Sequence, residues 1–144
     1  MKAEALQMPS KPYEINIIGG EAEITLIENA VEVAETAESP RKWTWDEYRL
    51  RVKPRQNLAD SVENNFTIWL EAAKAAERDT AAKAIRKRRN ALIAETDYLM
   101  TSDYPISESE REAVSEYRQK LRDIPEQRGF PFEVVFPEKP GGVK

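Results

Sequence analysis

Residues 13–26 read Tyr-Glu-Ile-Asn-Ile-Ile-Gly-Gly-Glu-Ala-Glu-Ile-Thr-Leu, and this stretch rules out an all-helical chain. Tyr13, Ile15 and Ile17 alternate with Glu14 and Asn16, and Ala22, Ile24 and Leu26 alternate with Glu21, Glu23 and Thr25. Between the two runs, Gly19-Gly20 supplies a two-residue turn able to take positive φ. Period-two patterning on both sides of such a turn predicts a β-hairpin with one dry face. Val31 and Val33 extend it until Ser39-Pro40 breaks the pattern. Residues 42–52, KWTWDEYRLRV, form a further strand candidate, with Trp43 and Trp45 on one parity and Tyr48, Leu50 and Val52 on the other. That change near Asp46-Glu47 predicts a bulge, or a turn between two short elements.

Beyond residue 55 the period changes. Leu58, Val62, Phe66, Trp69, Ala73 and Ala76 step by three or four, a narrow seam of the kind that packs against another helix. Alanine-rich sequence follows, with no Gly or Pro between Gln56 and Tyr104. An unbroken helix over residues 57–96 would be a rod of about 60 Å. Either it breaks near residues 77–80, where large apolar residues lapse, or an elongated molecule offers a helix flank to partners, a second copy among them.

A second, shorter helix is punctuated at both ends. Ser107 with Glu110 is a capping box, acids Glu108, Glu110 and Glu112 crowd its start, and Arg118, Lys120 and Arg122 crowd its end. Val114, Tyr117, Leu121 and Ile124 form its buried stripe, and Pro125 ends it. The link over residues 100–106 suits an antiparallel helical hairpin. The remaining sequence, rich in Pro and Phe, suits an extended strap. The expected architecture is α+β: an N-terminal β segment (1–54) with a small antiparallel sheet, a helical hairpin (55–124) and a C-terminal strap (125–144).

Composition limits the chemistry. The chain has no Cys and no His, which removes thiol nucleophiles, disulfides, zinc sites and histidine bases. Carboxylates are plentiful, but no pair has a calcium-loop spacing, so no enzyme activity, metal or cofactor is expected. Leu, Ile, Val and Phe make up 30 of 144 residues, a thin core padded with alanine. Net charge is −4, with no long apolar span and no apolar leader after Lys2. The expectation is a soluble protein of the cytosol without attraction to membranes or nucleic acid.

Charge is nonetheless zoned: residues 55–89 carry 8 basic and 5 acidic groups between two net-acidic segments. Lys83, Arg86, Lys87, Arg88 and Arg89 could make a phosphate-binding face. At about 100° per residue they surround the helix and form no stripe, so the stronger reading is a solvated helix, paired through Asp79 to Lys83 and with acids of the second helix. Trp43 and Trp45 are candidate partner contacts because rigid aromatics dominate interface energetics, although core packing is the stronger reading. For Phe130, Phe132 and Phe136 in the strap, docking on a partner and docking on the chain itself are both open.

The second half carries a set of ordered motifs. Arg89-Asn90-x-Leu92-Ile93-x-x-Thr96-Asp97-Tyr98, Asp103-x-Pro105-Ile106, Tyr117-Arg118-x-x-Leu121-Arg122-Asp123-Ile124-Pro125, Gly129-Phe130-Pro131 and Phe136-Pro137-x-x-Pro140 follow in turn. This set resembles the C-terminal signature of phage tail assembly chaperones, including tail fibre assembly proteins, with Tyr98 and Phe136 where the family usually has Trp. The resemblance implies a non-enzymatic protein that binds a tail or tail-fibre protein during virion assembly in the host cytoplasm. The signature is expected mainly to hold the helical hairpin and strap in place, with Asp123 anchoring an arginine or the start of the strap. Arg118 and Arg122 are candidate client contacts. The alternatives are a structural tail or baseplate accessory retained in the virion and, more weakly, a nucleic-acid-binding module using residues 83–89.

Overall fold

The computed structural model describes residues 1–141, so the last three residues of the expected strap lie outside the described residues. The fold is α+β. Four antiparallel strands, β1 (Lys2–Ala5), β2 (Tyr13–Ile18), β3 (Glu21–Val33) and β4 (Lys42–Val52), form one sheet in the order β1-β4-β3-β2. Helices α1 (Leu58–Asn64), α2 (Phe66–Ala94) and α3 (Glu108–Arg122) follow. The chain divides into two compact units, Met1–Glu77 and Arg78–Lys144.

In the first unit the hairpin forms as its alternation requires. Gly19 and Gly20 have φ of 59° and 83°, the two positive angles of a type I′ turn, and Ile18 faces Glu21 across it. The dry face is Ala22, Ile24 and Leu26, all fully buried. Opposite them in register stand Val52, Leu50 and Tyr48 of β4. No turn divides β4. Between Glu28 and Val31 the register advances three residues on β3 against two on β4, with Asn29 at φ 54°, so the expected irregularity falls on β3. The parity change in β4 instead reflects burial on two sides of the sheet: Tyr48, Leu50 and Val52 pack with Ile24 and Leu26, and Trp45 is buried at odd parity.

The seam beginning at Leu58 packs on this sheet, which corrects the expectation of a facing helix. Leu58, Val62, Leu70 and Ala73 join Ala22, Ile24 and Leu26 in one buried cluster, with Phe66 and Trp69 at its margin. A helix needs only one apolar stripe, and that stripe serves a sheet as well as a second helix. The helix also breaks elsewhere than expected. Asn65, at φ −128° and ψ 37°, separates α1 from α2, whereas α2 runs through residues 77–80 uninterrupted. Its 29 residues span about 44 Å.

In the second unit, Ile85, Leu92 and Ile93 of α2 pack against Tyr117, Leu121 and Ile124. A 3-10 turn at Asp97–Met100 and a short loop link α2 to α3, and α3 runs back along the C-terminal part of α2. After a second 3-10 turn at Ile124–Glu126, the tail departs from the expected extended strap: residues 127–133 form successive turns, and only residues 134–140 lack regular structure.

Candidate partner-binding surface

The second unit is built on α3. Ser107 Oγ accepts from the Glu110 backbone N–H (3.2 Å) and the Glu110 carboxylate accepts from the Ser107 N–H (2.7 Å), a complete capping box. The bond from the Ser107 N–H first, and then one that the Ser107 hydroxyl donates to the same carboxylate (2.8 Å), hold the Glu110 carboxyl below the ordinary carboxylate range. One turn on, the Arg111 guanidinium donates to the carbonyls of Leu99 (3.3 Å), Thr101 (3.2 Å) and Tyr104 (3.5 Å). It thereby fixes the loop between the helices. Nothing in the motif set marks Arg111; an arginine in the first turns of a helix beginning with Glu108 and Glu110 reads from sequence as a helix-face ion pair.

Arg118 closes the hairpin. Its Nη1 donates to the Ile93 carbonyl (2.8 Å) and to Thr96 Oγ1 (2.9 Å), and its Nη2 lies 2.8 Å from Asp97 Oδ1. The fork caps the C-terminal end of α2, whose last carbonyls have no intrahelical donor. Asp123, expected to anchor an arginine or the strap, instead accepts from Gln119 (2.8 Å), and Asp97 is the acid that meets Arg118. Arg122 is exposed, and its side chain has no hydrogen bond or ion pair among the described residues.

The tail folds back on this pair of helices. Phe130, Val134 and Phe136 pack against Tyr117, Leu121 and Ile124, and Pro131 is buried. Gln127 closes the turn by donating to the Val135 carbonyl and accepting from its N–H, both at 2.8 Å. Arg86 and Arg88 stack over the rings of Phe130 (5.3 Å) and Phe136 (4.1 Å). At about 100° per residue these two arginines flank the stripe of Ile85, Leu92 and Ile93, which explains how cations spread around a helix find partners. Lys83 pairs with Asp79 (2.6 Å) as expected. The partners of Arg86 and Arg88, however, are aromatic rings of the tail and not acids of the second helix.

Gly129 has a steric reason to be glycine. A Cβ there would collide with the Glu133 carbonyl oxygen and lie 2.7 Å from the Glu133 Cβ, in a turn closed by the Glu133 N–H to Gly129 carbonyl bond of 2.7 Å. Gly129→Ala is therefore expected to destabilise the protein by about 1–2 kcal/mol through overpacking. Gly141, with nothing within 4 Å, provides the control. Equilibrium urea unfolding of both variants checks this.

The same packing sorts the candidate contacts. Phe130 and Phe136 are half-buried, whereas Phe132 (57% exposed) and Val135 (77%) point outward beside an open recess lined by Arg128, Gly129, Glu133 and Val134. In the first unit, Trp45 is only 6% exposed and Trp43 is half-buried. Residues 9–11, on the connection from β1 to β2, line a recess of about 360 Å³ with Trp45, Thr25 and Ile27. The Trp45 indole N–H is itself buried, with no acceptor among the described residues. Among the described residues, no group of three or more carboxylates is placed to hold a metal ion, and no helix is long and apolar enough to cross a membrane.

Residues 82–141 match the family described as phage tail assembly chaperone protein, the family that the C-terminal motifs resemble. The matched region takes in α3, the clamp of Arg118, the tail turn and both stacked arginines. Comparison with curated proteins and with solved structures finds no match.

Proposed function

From a second unit built on the phage tail assembly chaperone pattern, we propose that the chain is a non-enzymatic assembly chaperone that binds a tail or tail-fibre protein stoichiometrically in the host cytoplasm. The observation that carries this reading is the division of labour within the matched segment. Tyr117, Leu121, Ile124, Arg118 and Phe130 are used up in packing the unit, while Phe132 and Val135 stay outside it. A client chaperone needs such an arrangement: a rigid support and a small exposed apolar contact, set among charges that keep the free protein soluble.

The test separates support from contact. Phe132→Ser with Val135→Ser is expected to reduce capture of the co-expressed tail or tail-fibre protein while changing stability by less than about 0.5 kcal/mol, as surface substitutions do. Phe130→Ser is expected to lower the melting temperature, because it removes a ring from the cluster and from beneath Arg86. Size-exclusion chromatography of the complex and thermal unfolding of each variant read the two effects. Unchanged capture by the double variant would remove Phe132 and Val135 from the contact. Abundant protein in washed, purified virions would favour the structural accessory.

A further inference from the structure

We infer that the outer edge of β2 is a docking site for an extended, positively charged apolar segment of the client, which adds to the sheet as a fifth strand. The inference rests on the chaperone reading and deepens it by placing a second contact in the first unit.

β2 is the terminal strand of the sheet, with β3 on one side only. A two-residue hairpin turn is closed by a hydrogen-bonded pair, here Ile18 and Glu21, and the alternation then assigns the even-numbered residues of β2 to bonds with β3. The bond from the Ile27 N–H to the Pro12 carbonyl continues the same parity. The N–H and C=O groups of Tyr13, Ile15 and Ile17 therefore point away from the sheet, and no backbone partner meets them among the described residues.

Edges are usually blunted by lysine, proline, a bulge or brevity. At the opposite edge, β1 is four residues long and carries Lys2 and Glu4. β2 has six residues, one charge, no proline and no bulge, and Ile17 is 65% exposed. Beside it lies a groove of about 300 Å³ lined by Ile15, Ile17, Pro54, Leu58 and Ala59. Backbone groups aligned for pairing, next to an apolar groove for alternate side chains, are what strand addition uses.

Charge selects the occupant. Residues 1–77 carry 9 basic and 14 acidic side chains, a net −5. Arg55 at the groove is engaged by Ser61 (3.2 Å) and stacked on Trp69 (5.6 Å). Glu14 on β2 and Asp60 at the groove have no ion-pair partner among the described residues. A second copy would bring like charge to this edge, whereas a lysine- or arginine-bearing strand complements it.

The probe is a blocked peptide alternating valine and lysine, titrated into the 15N-labelled full chain. Saturable shifts and slowed exchange are expected at the amides of Tyr13, Ile15 and Ile17. The valine–glutamate counterpart is expected to bind at least about tenfold more weakly. Ile17→Pro removes an outward N–H without removing a β2–β3 bond, and is expected to abolish the response; Ile17→Lys serves if the proline variant fails to fold. Equal binding to the folded variant, shifts confined to other residues, equal binding of the acidic peptide, or a concentration-dependent dimer through β2 would each overturn the inference. The co-expressed tail or tail-fibre protein separates this inference from the chaperone reading. Failure of the unmodified chain to bind it counts against the chaperone reading. Binding that survives unchanged in the folded Ile17 variant counts against the edge alone.

Discussion

Leu121→Ala is expected to lower the folding free energy by about 2–5 kcal/mol, the range for a large buried aliphatic cut to alanine. Leu121 is fully buried on α3 between Tyr117 and Ile124, where one side chain meets α2 residues on one side and the folded-back tail on the other. Truncation leaves a cavity whose walls belong to three segments, so collapse of any one of them fills only part of it. Chemical denaturation read by far-UV circular dichroism measures the loss. Leu121→Met, nearly equal in volume, is expected to cost less than about 1.5 kcal/mol. A loss for Leu121→Ala below about 1 kcal/mol would mean that the tail is not seated on α3 as described.

Arg118→Ala is expected to cost about 2–3 kcal/mol, from hydrogen bonds that a charged donor makes to partly buried acceptors. The decisive bonds are those to the Ile93 carbonyl and the Thr96 hydroxyl, made by a side chain only 12% exposed. Asp97 contributes less. It is 63% exposed, and an ion pair with one solvated partner is worth about 0–1 kcal/mol. Asp97→Asn is therefore expected to be nearly silent, and Arg118→Lys to fall between, because an ammonium lacks the planar fork that reaches both acceptors and the acid. Thermal unfolding of the three variants orders them. An Asp97→Asn loss as large as that of Arg118→Ala would shift the weight of the clamp from hydrogen bonding to charge. A structural Arg118 also explains why its motif position need not touch a client.

The elements that could be read from residues alone are those specified by local chemistry. Gly19-Gly20 requires positive φ whatever surrounds it, the Ser107 and Glu110 box satisfies its own backbone groups, and the alternation around Ile24 and the stripe through Leu121 each mark one dry face. The C-terminal motifs carry instead a resemblance of ordered residue identities, and the model of the family they resemble matches residues 82–141. What covers each dry face was not legible. The stripe beginning at Leu58 is equally compatible with a helix or a sheet, and only the folded chain sets it on Ile24 and Leu26. The break at Asn65 carries no Gly or Pro signal, and the bulge falls on β3 because register belongs to a pair of strands and not to one of them. The tail was the hardest case. Its prolines forbid regular structure, but which phenylalanines turn inward depends on Arg86, Arg88 and Leu121, residues far away in sequence. Local propensity and periodicity thus determined which elements form and where each has a face to bury. Long-range packing alone decided what each face meets, and so left Phe132 and Val135 exposed and β2 at the edge of the sheet.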